Sequence, residues 1–168
     1  MHIFLTGDIR VGKTTIIQRF LAHTGLSADG FVTYWKADND GSRNLYISPC
    51  STNSHFNDGH RIVHDVGKRP FSPENMASVF DIYGSEMLHA SGKHNIIVMD
   101  ELGFFESKAF VFQRAVMQHI YGDVPILGAI KPKQTEFLNT IRAHPNVDVR
   151  EVTMENREAI LTWLLERI

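Results

Sequence analysis

Two hydrophobic periods alternate along this chain. Residues 2–6, His-Ile-Phe-Leu-Thr, form an apolar run that stops at Gly7, and over 14–23 the period turns helical. There Ile16 and Phe20, with Ile17 and Leu21, recur four apart, and Gly25 marks the stop. Residues 31–36 and 44–48 are β-branched and aromatic, and the Asp40-Gly41 pair between them favours a hairpin turn, which predicts an antiparallel ribbon. Residues 49–70 are rich in Ser, Asn, Asp, Gly and His with little periodicity. They read as an irregular insertion over the active-site face, in which 61–66 can form one more short strand. Ser72-Pro73-Glu74 then supplies an N-cap, a proline at the first helical position and an early acid. The stripe Met76, Val79, Phe80, Tyr83 and Met87 carries that helix to about Ala90.

The remainder alternates strand and helix: strand 95–99, helix 107–120 stopping at Gly122, strand 124–130, helix 134–142 and strand 147–152. Thr153 reads as the N-cap of a closing helix whose apolar face is Ile160, Leu161, Leu164, Leu165 and Ile168. Fully apolar strands between amphipathic helices belong to a parallel sheet covered on both faces, so the class is α/β with right-handed crossovers.

At 168 residues the chain fits one domain, with the ribbon and insertion spanning about residues 31–70, and it buries enough surface to fold without disulfide or structural metal. Seventeen Lys plus Arg against nineteen Asp plus Glu give a formal charge of −2, and no basic block suggests a nucleic-acid partner. Cys50 is the one cysteine, no signal-peptide stretch opens the chain and no apolar run reaches membrane-spanning length. A soluble cytoplasmic protein without a membrane partner is expected.

The chemistry is concentrated at Gly7-Asp8-Ile9-Arg10-Val11-Gly12-Lys13-Thr14, which satisfies the phosphate-loop pattern GxxxxGK[ST] between the first strand and the first helix. In such a loop the glycines let backbone N–H groups turn onto phosphate oxygens, the lysine neutralises the β- and γ-phosphates, and the hydroxyl holds Mg²⁺. Gly7 to Thr15 is therefore the expected nucleotide cradle. The strand 95–99 runs into Asp100-Glu101, where ligands of open α/β sheets bind. Asp100 joins Thr14 as a Mg²⁺ ligand, and Glu101 is placed to accept a proton from an attacking water. The same stretch read as the DxxG switch of a regulatory GTPase fails, because the chain holds no Asn-Lys-x-Asp segment to read guanine.

Taken together these residues resemble the THEP-type nucleoside triphosphatases, whose vertebrate members are called cancer-related nucleoside-triphosphatase. The shared segments are Gly12-Lys13-Thr14-Thr15, Gly30-Phe31-Val32-Thr33, Gly41-Ser42-Arg43, Asp100-Glu101-Leu102-Gly103-Phe104-Phe105-Glu106 and Thr153-Met154-Glu155-Asn156-Arg157, in that order. The resemblance implies a three-layer P-loop NTPase fold and slow, Mg²⁺-dependent hydrolysis of nucleoside triphosphates to the diphosphate with broad base tolerance. Two departures stand out. Arg10 replaces a usual glycine, which makes it a candidate cation for the γ-phosphate in cis. Phe104-Phe105 replaces Lys-Met, and Lys131 at the end of the 124–130 strand is a candidate substitute.

Asn156 and Arg157 follow the last strand, where this architecture flanks the nucleobase. Arg43, Lys68 and Arg69 are candidate lid cations that read more simply as solvated charges. His55, His60 and His64 lack a cysteine or acid at matching spacing and read as a polar loop rather than a zinc set. Phe104 and Phe105 are expected to pack beneath the Asp-Glu loop. The leading reading is an ATP/GTP hydrolase using Lys13, Glu101 and Arg10. A small kinase whose acceptor is held by residues 49–70 and a nucleotide-dependent module that binds an unknown protein partner are the alternatives.

Overall fold

The computed structural model describes residues 1–37, 41–50, 58–65, 74, 76–89 and 94–168. Its seven strands are β1 (His2–Thr6), β2 (Ala28–Ala37), β3 (Arg43–Pro49), β4 (Arg61–Asp65), β5 (Ile96–Leu102), β6 (Ile126–Ile130) and β7 (Val147–Glu151). They form one sheet in the order β4-β3-β2-β5-β6-β1-β7. From β2 to β7 all neighbours are parallel, whereas β3 and β4 add to β2 as an antiparallel extension. The three-layer class and the ribbon are as expected, and the short segment after residue 60 is the edge strand β4.

Alternation along the strands sorts side chains onto two faces. Ile3, Leu5, Ile96, Val98, Leu127 and Ala129 join α1 (Lys13–Thr24) and α6 (Arg157–Leu165) on one side. Phe4, Phe31, Ile97, Met99, Ile126 and Ile130 pack on the other against α4 (Phe110–Ile120), α5 (Glu136–Ala143) and a helical rod. That rod consists of α2 (Ala77–Val79), a π-turn over Phe80–Gly84 and α3 (Ser85–His89). The wider turn keeps Met76, Phe80 and Met87 in the core while Val79 and Tyr83 are only half-buried. The expected N-cap at Ser72 with Pro73, and the helix end at Ala90, lie outside the described residues, as do Asp40, His55, Lys68 and Arg69 and most of the 49–70 insertion.

Several boundaries move for identifiable reasons. The helix predicted from Ser107 begins at Phe110, because residues 104–109 form tight turns in which Ser107 N–H donates to Phe104 O (3.1 Å) and Ala109 N–H to Glu106 O (3.0 Å). The closing helix begins at Arg157 rather than after Thr153. Thr153 instead closes a turn: its hydroxyl accepts the N–H groups of Glu155 and Asn156, each at 3.3 Å. Leu165, at the end of that helix, is 39% exposed, so only Leu161 and Leu164 of the predicted face are fully buried.

Where β2 meets β5 the backbones approach so closely that only glycine fits. Gly30 has φ of 109°, and a Cβ there would lie 2.0 Å from Val98 O. Gly30→Ala is therefore expected to lower stability by at least about 2 kcal/mol, read as a fall in the urea midpoint. Gly41→Ala is the control: φ there is 82° with no atom in reach, so left-handed strain alone should cost about 1 kcal/mol.

Candidate active site

The loop between β1 and α1 is shaped by backbone geometry that side chains rarely tolerate. Gly7 has φ of 132° and Gly12 of 108°. A Cβ on Gly7 would meet Val152 O at 2.4 Å, and one on Gly12 would meet the Arg157 side chain at 2.9 Å. The loop is thus wedged between the ends of β1 and β7. Gly12 occupies the N-cap of α1 without a side-chain cap, so the first-turn N–H groups face the loop's concavity. Lys13 is only 6% exposed, and its Nζ donates to the carbonyls of Gly7 and Asp8, both at 3.0 Å. Val11 is buried against the β1 face, while Asp8, Ile9, Arg10, Thr14 and Thr15 are exposed. Arg10 itself is left-handed, with φ of 64°. The departure from glycine noted above therefore falls where the backbone favours glycine, at a cost of about 1 kcal/mol.

Facing this loop is the end of β5. Asp100 pairs with Ala129 and Leu102 with Ile130, so Glu101 is the extra residue of a bulge, and the Asp100–Glu101 peptide is cis. Bulges re-aim side chains. Here Glu101 lies 3.9 Å from Lys13 Nζ through one oxygen and 3.8 Å from Lys131 Nζ through the other. Its backbone N–H donates to the Thr33 hydroxyl on β2 at 3.2 Å. Asp100 points to the α1 side and is 2% exposed. Burial pushes its carboxyl up to about 6, the Thr14 hydroxyl and the Lys13 charge pulling against that rise. A buried carboxylate beside a hydroxyl is a hard oxygen donor pair of the kind Mg²⁺ takes.

Two clefts open beside the loop. One, about 150 Å³, is lined by Arg10, Thr33, Trp35, Glu101, Lys131 and the apolar side chains of Leu45, Phe80 and Phe105. The other, about 360 Å³, lies between residues 8–11 and 151–155. Arg157 lies over Gly12, but the Asn156 amide is engaged by its own loop, accepting from Thr153 N–H (2.8 Å) and donating to Glu151 O (2.9 Å). Arg43 sits 5.4 Å over the Trp35 ring. Phe105 packs on the core with Lys131 Nζ 5.8 Å from its ring centre, whereas Phe104 is 43% exposed, contrary to the packing expected for both. His60 packs at a tilt against Tyr83, with ring centres 4.4 Å apart, and His64 bonds Asn44 at 2.7 Å, so these two take part in local packing around β4. Sequence reading passed over Thr33 and Glu106 as site residues; their one signal was membership of the quoted segments.

Loop, sheet order and paired acids define a P-loop NTPase. A family model described as NTPase matches residues 2–165, and the chain belongs to that family. It is 30% identical to the nucleoside-triphosphatase THEP1 of Methanocaldococcus jannaschii over 100% of this chain and 97% of that one. With the cancer-related nucleoside-triphosphatase homolog of Bos taurus it shares 33% identity over 95% of this chain and 92% of the other. The crystal structure of THEP1 from Aquifex aeolicus has the same fold, with a TM-score of 0.75 at 21% identity over 99% and 98% of the two chains. No helix among the described residues is long and apolar enough to cross a membrane.

Burial raises the titration of the Asp100 carboxyl in the folded protein. An acid whose folded pKa lies above its unfolded value destabilises the fold while ionised, and the penalty disappears as pH falls from about 6 towards the usual carboxylate range. Asp100→Asn should therefore stabilise the nucleotide-free protein at pH 8, by on the order of 2–3 kcal/mol, and the gain should vanish near pH 4. Urea unfolding of both proteins across that range measures it.

Proposed function

We propose that the chain hydrolyses nucleoside triphosphates, ATP and GTP among them, to the diphosphate and phosphate in a Mg²⁺-dependent reaction, with Lys13, Glu101 and Arg10 as its catalytic groups. The observation that carries this reading is the convergence of the buried Lys13 ammonium, the Glu101 carboxylate and the Asp100–Thr14 pair at one edge of the sheet. Phosphate oxygens lie against the N–H groups of residues 7–15, and Lys13 exchanges its two carbonyl partners for β- and γ-oxygens. Glu101 takes the proton of a water whose oxygen attacks the γ-phosphorus, and the β–γ bridging oxygen leaves with the diphosphate. Asp100 and Thr14 hold Mg²⁺, which when bound neutralises phosphate charge. Arg10, at the mouth of the smaller cleft, reaches the γ-phosphate in cis. Arg157 borders the phosphates over Gly12, and Asn156 shapes the loop beside the base.

The wider cleft suits the base and ribose. Its exposed Ile9 and Met154 offer apolar contact to a base beside the polar side chains of Asp8, Arg10, Thr153 and Glu155. A second reading, phosphoryl transfer to a small acceptor, draws support from the apolar walls of the smaller cleft, whose volume of about 150 Å³ leaves room for more than a water molecule.

Phosphate release from ATP, GTP, CTP and UTP tests both readings. Release should need no acceptor, stop on chelation of Mg²⁺ and fall about 100-fold or more in Glu101→Gln while nucleotide binding persists. Arg10→Gly should relieve the left-handed strain and raise stability by about 1 kcal/mol while lowering kcat at least about 10-fold. Turnover that begins only when an acceptor is added would replace the hydrolase by a kinase.

A further inference from the structure

Glu106 is a carboxylate that the proposed chemistry leaves unused, and at 2% exposure it is among the most buried charged side chains described. One carboxyl oxygen, Oε1, accepts the N–H of Gly103. Its backbone carbonyl accepts Gln113 Nε2 at 2.9 Å and Ala109 N–H at 3.0 Å, which ties the end of β5 to the start of α4. Burial pushes the carboxyl up to about 7, partly opposed by the Gly103 N–H and the Lys131 charge.

Gly103 is also where Lys131 rests. A Cβ on Gly103 would lie 3.0 Å from Lys131 Cδ and 3.6 Å from both Cγ and Cε, so the lysine stem runs directly over this residue. The base of that side chain is fixed by two further bonds: Lys131 N–H donates to Leu102 O at 2.9 Å, and the Arg142 guanidinium donates to Lys131 O. Its far end reaches within 3.8 Å of Glu101 Oε1. With its backbone fixed, the direction of the stem depends on the height of the Gly103 peptide beneath it.

We infer that Glu106 is a positioning residue of the hydrolytic site: by accepting the Gly103 N–H it sets the peptide on which the Lys131 stem lies, and so aims the Lys131 ammonium at Glu101 and the γ-phosphate. The inference rests on the hydrolase reading for its kinetic consequence, not for its geometry. Lys131 directly follows β6, the strand lying between the phosphate loop and the Asp-Glu pair, so a small change in its direction alters the charge around both the base and the reacting phosphate.

The test combines Glu106→Gln, which keeps an acceptor oxygen, Glu106→Leu, which removes it, Lys131→Met and the Leu/Met double variant. For ATP, Glu106→Leu is expected to lower kcat about 30-fold with mant-ATP affinity changed less than about 3-fold, and Glu106→Gln to keep at least about a third of the wild-type kcat. The double variant should be no slower than Lys131→Met alone. Should Glu106→Leu not fold, Glu106→Ala removes the same acceptor. Unchanged kcat in folded Glu106→Leu, equal damage from Gln and Leu, or losses that multiply in the double variant would each overturn the inference. Crystal structures of the variants give a readout independent of turnover: the Lys131–Glu101 contact is expected to persist in Glu106→Gln and open in Glu106→Leu. If it stays closed in the Leu variant the inference fails, whereas an inactive wild type with an opened contact in that variant would sink the hydrolase reading alone.

Discussion

Everything at the site depends on β6 being hydrogen-bonded on both sides, to β1 through Ile3↔Leu127 and Leu5↔Ala129 and to β5 through Ile97↔Ile126 and Asp100↔Ala129. One parallel strand sets the distance between the phosphate loop and the acids, and its own end delivers Lys131 into the gap. Parallel register brings all three carboxyl ends to one edge, which is why two segments far apart in sequence place Lys13 and Glu101 within 3.9 Å. Apolar side chains on both faces, Phe4 and Met99 on one, Leu5 and Val98 on the other, hold that register, because a slip by one residue would turn each set outward.

Inside that frame the site carries charges where burial works against them. Lys13, Asp100 and Glu106 are all buried, and both acids are pushed towards neutrality by desolvation. Each charge has an offsetting partner: loop carbonyls for Lys13, the Thr14 hydroxyl for Asp100, the Gly103 N–H for Glu106. In the proposed hydrolysis, such an arrangement gives up stability in the free protein for groups already in place when phosphate arrives, which lowers the reorganisation needed during reaction.

The fold class was readable because long apolar strands and amphipathic helices alternate with clear punctuation, and β1 and α1 lie within a residue or two of their predicted bounds. Misreadings cluster where polar residues can serve either a helix or a turn. Ser107 and Thr153 look like helix starts by composition, yet both are consumed by turns that precede α4 and α6. The Asn156 amide bonds its own loop, a partnership set by a three-dimensional turn rather than by residue type. Phe104 and Phe105 are indistinguishable in sequence; the turn after β5 buries the second and exposes the first.

By itself the sequence determined the shape of the loop between β1 and α1, because the glycines at 7 and 12 act through local backbone geometry that spacing encodes directly. It also determined that the chain is a layered α/β protein, since hydrophobic period is a local property. Tertiary structure alone decided the strand order that inserts β6, the bulge that turns Glu101 towards two lysines, and the stacking of Lys131 on a glycine held by Glu106. Those features arise from pairings between distant segments, and neither the register of one strand against another nor the height of a peptide under a side chain is written in the order of residues along either one.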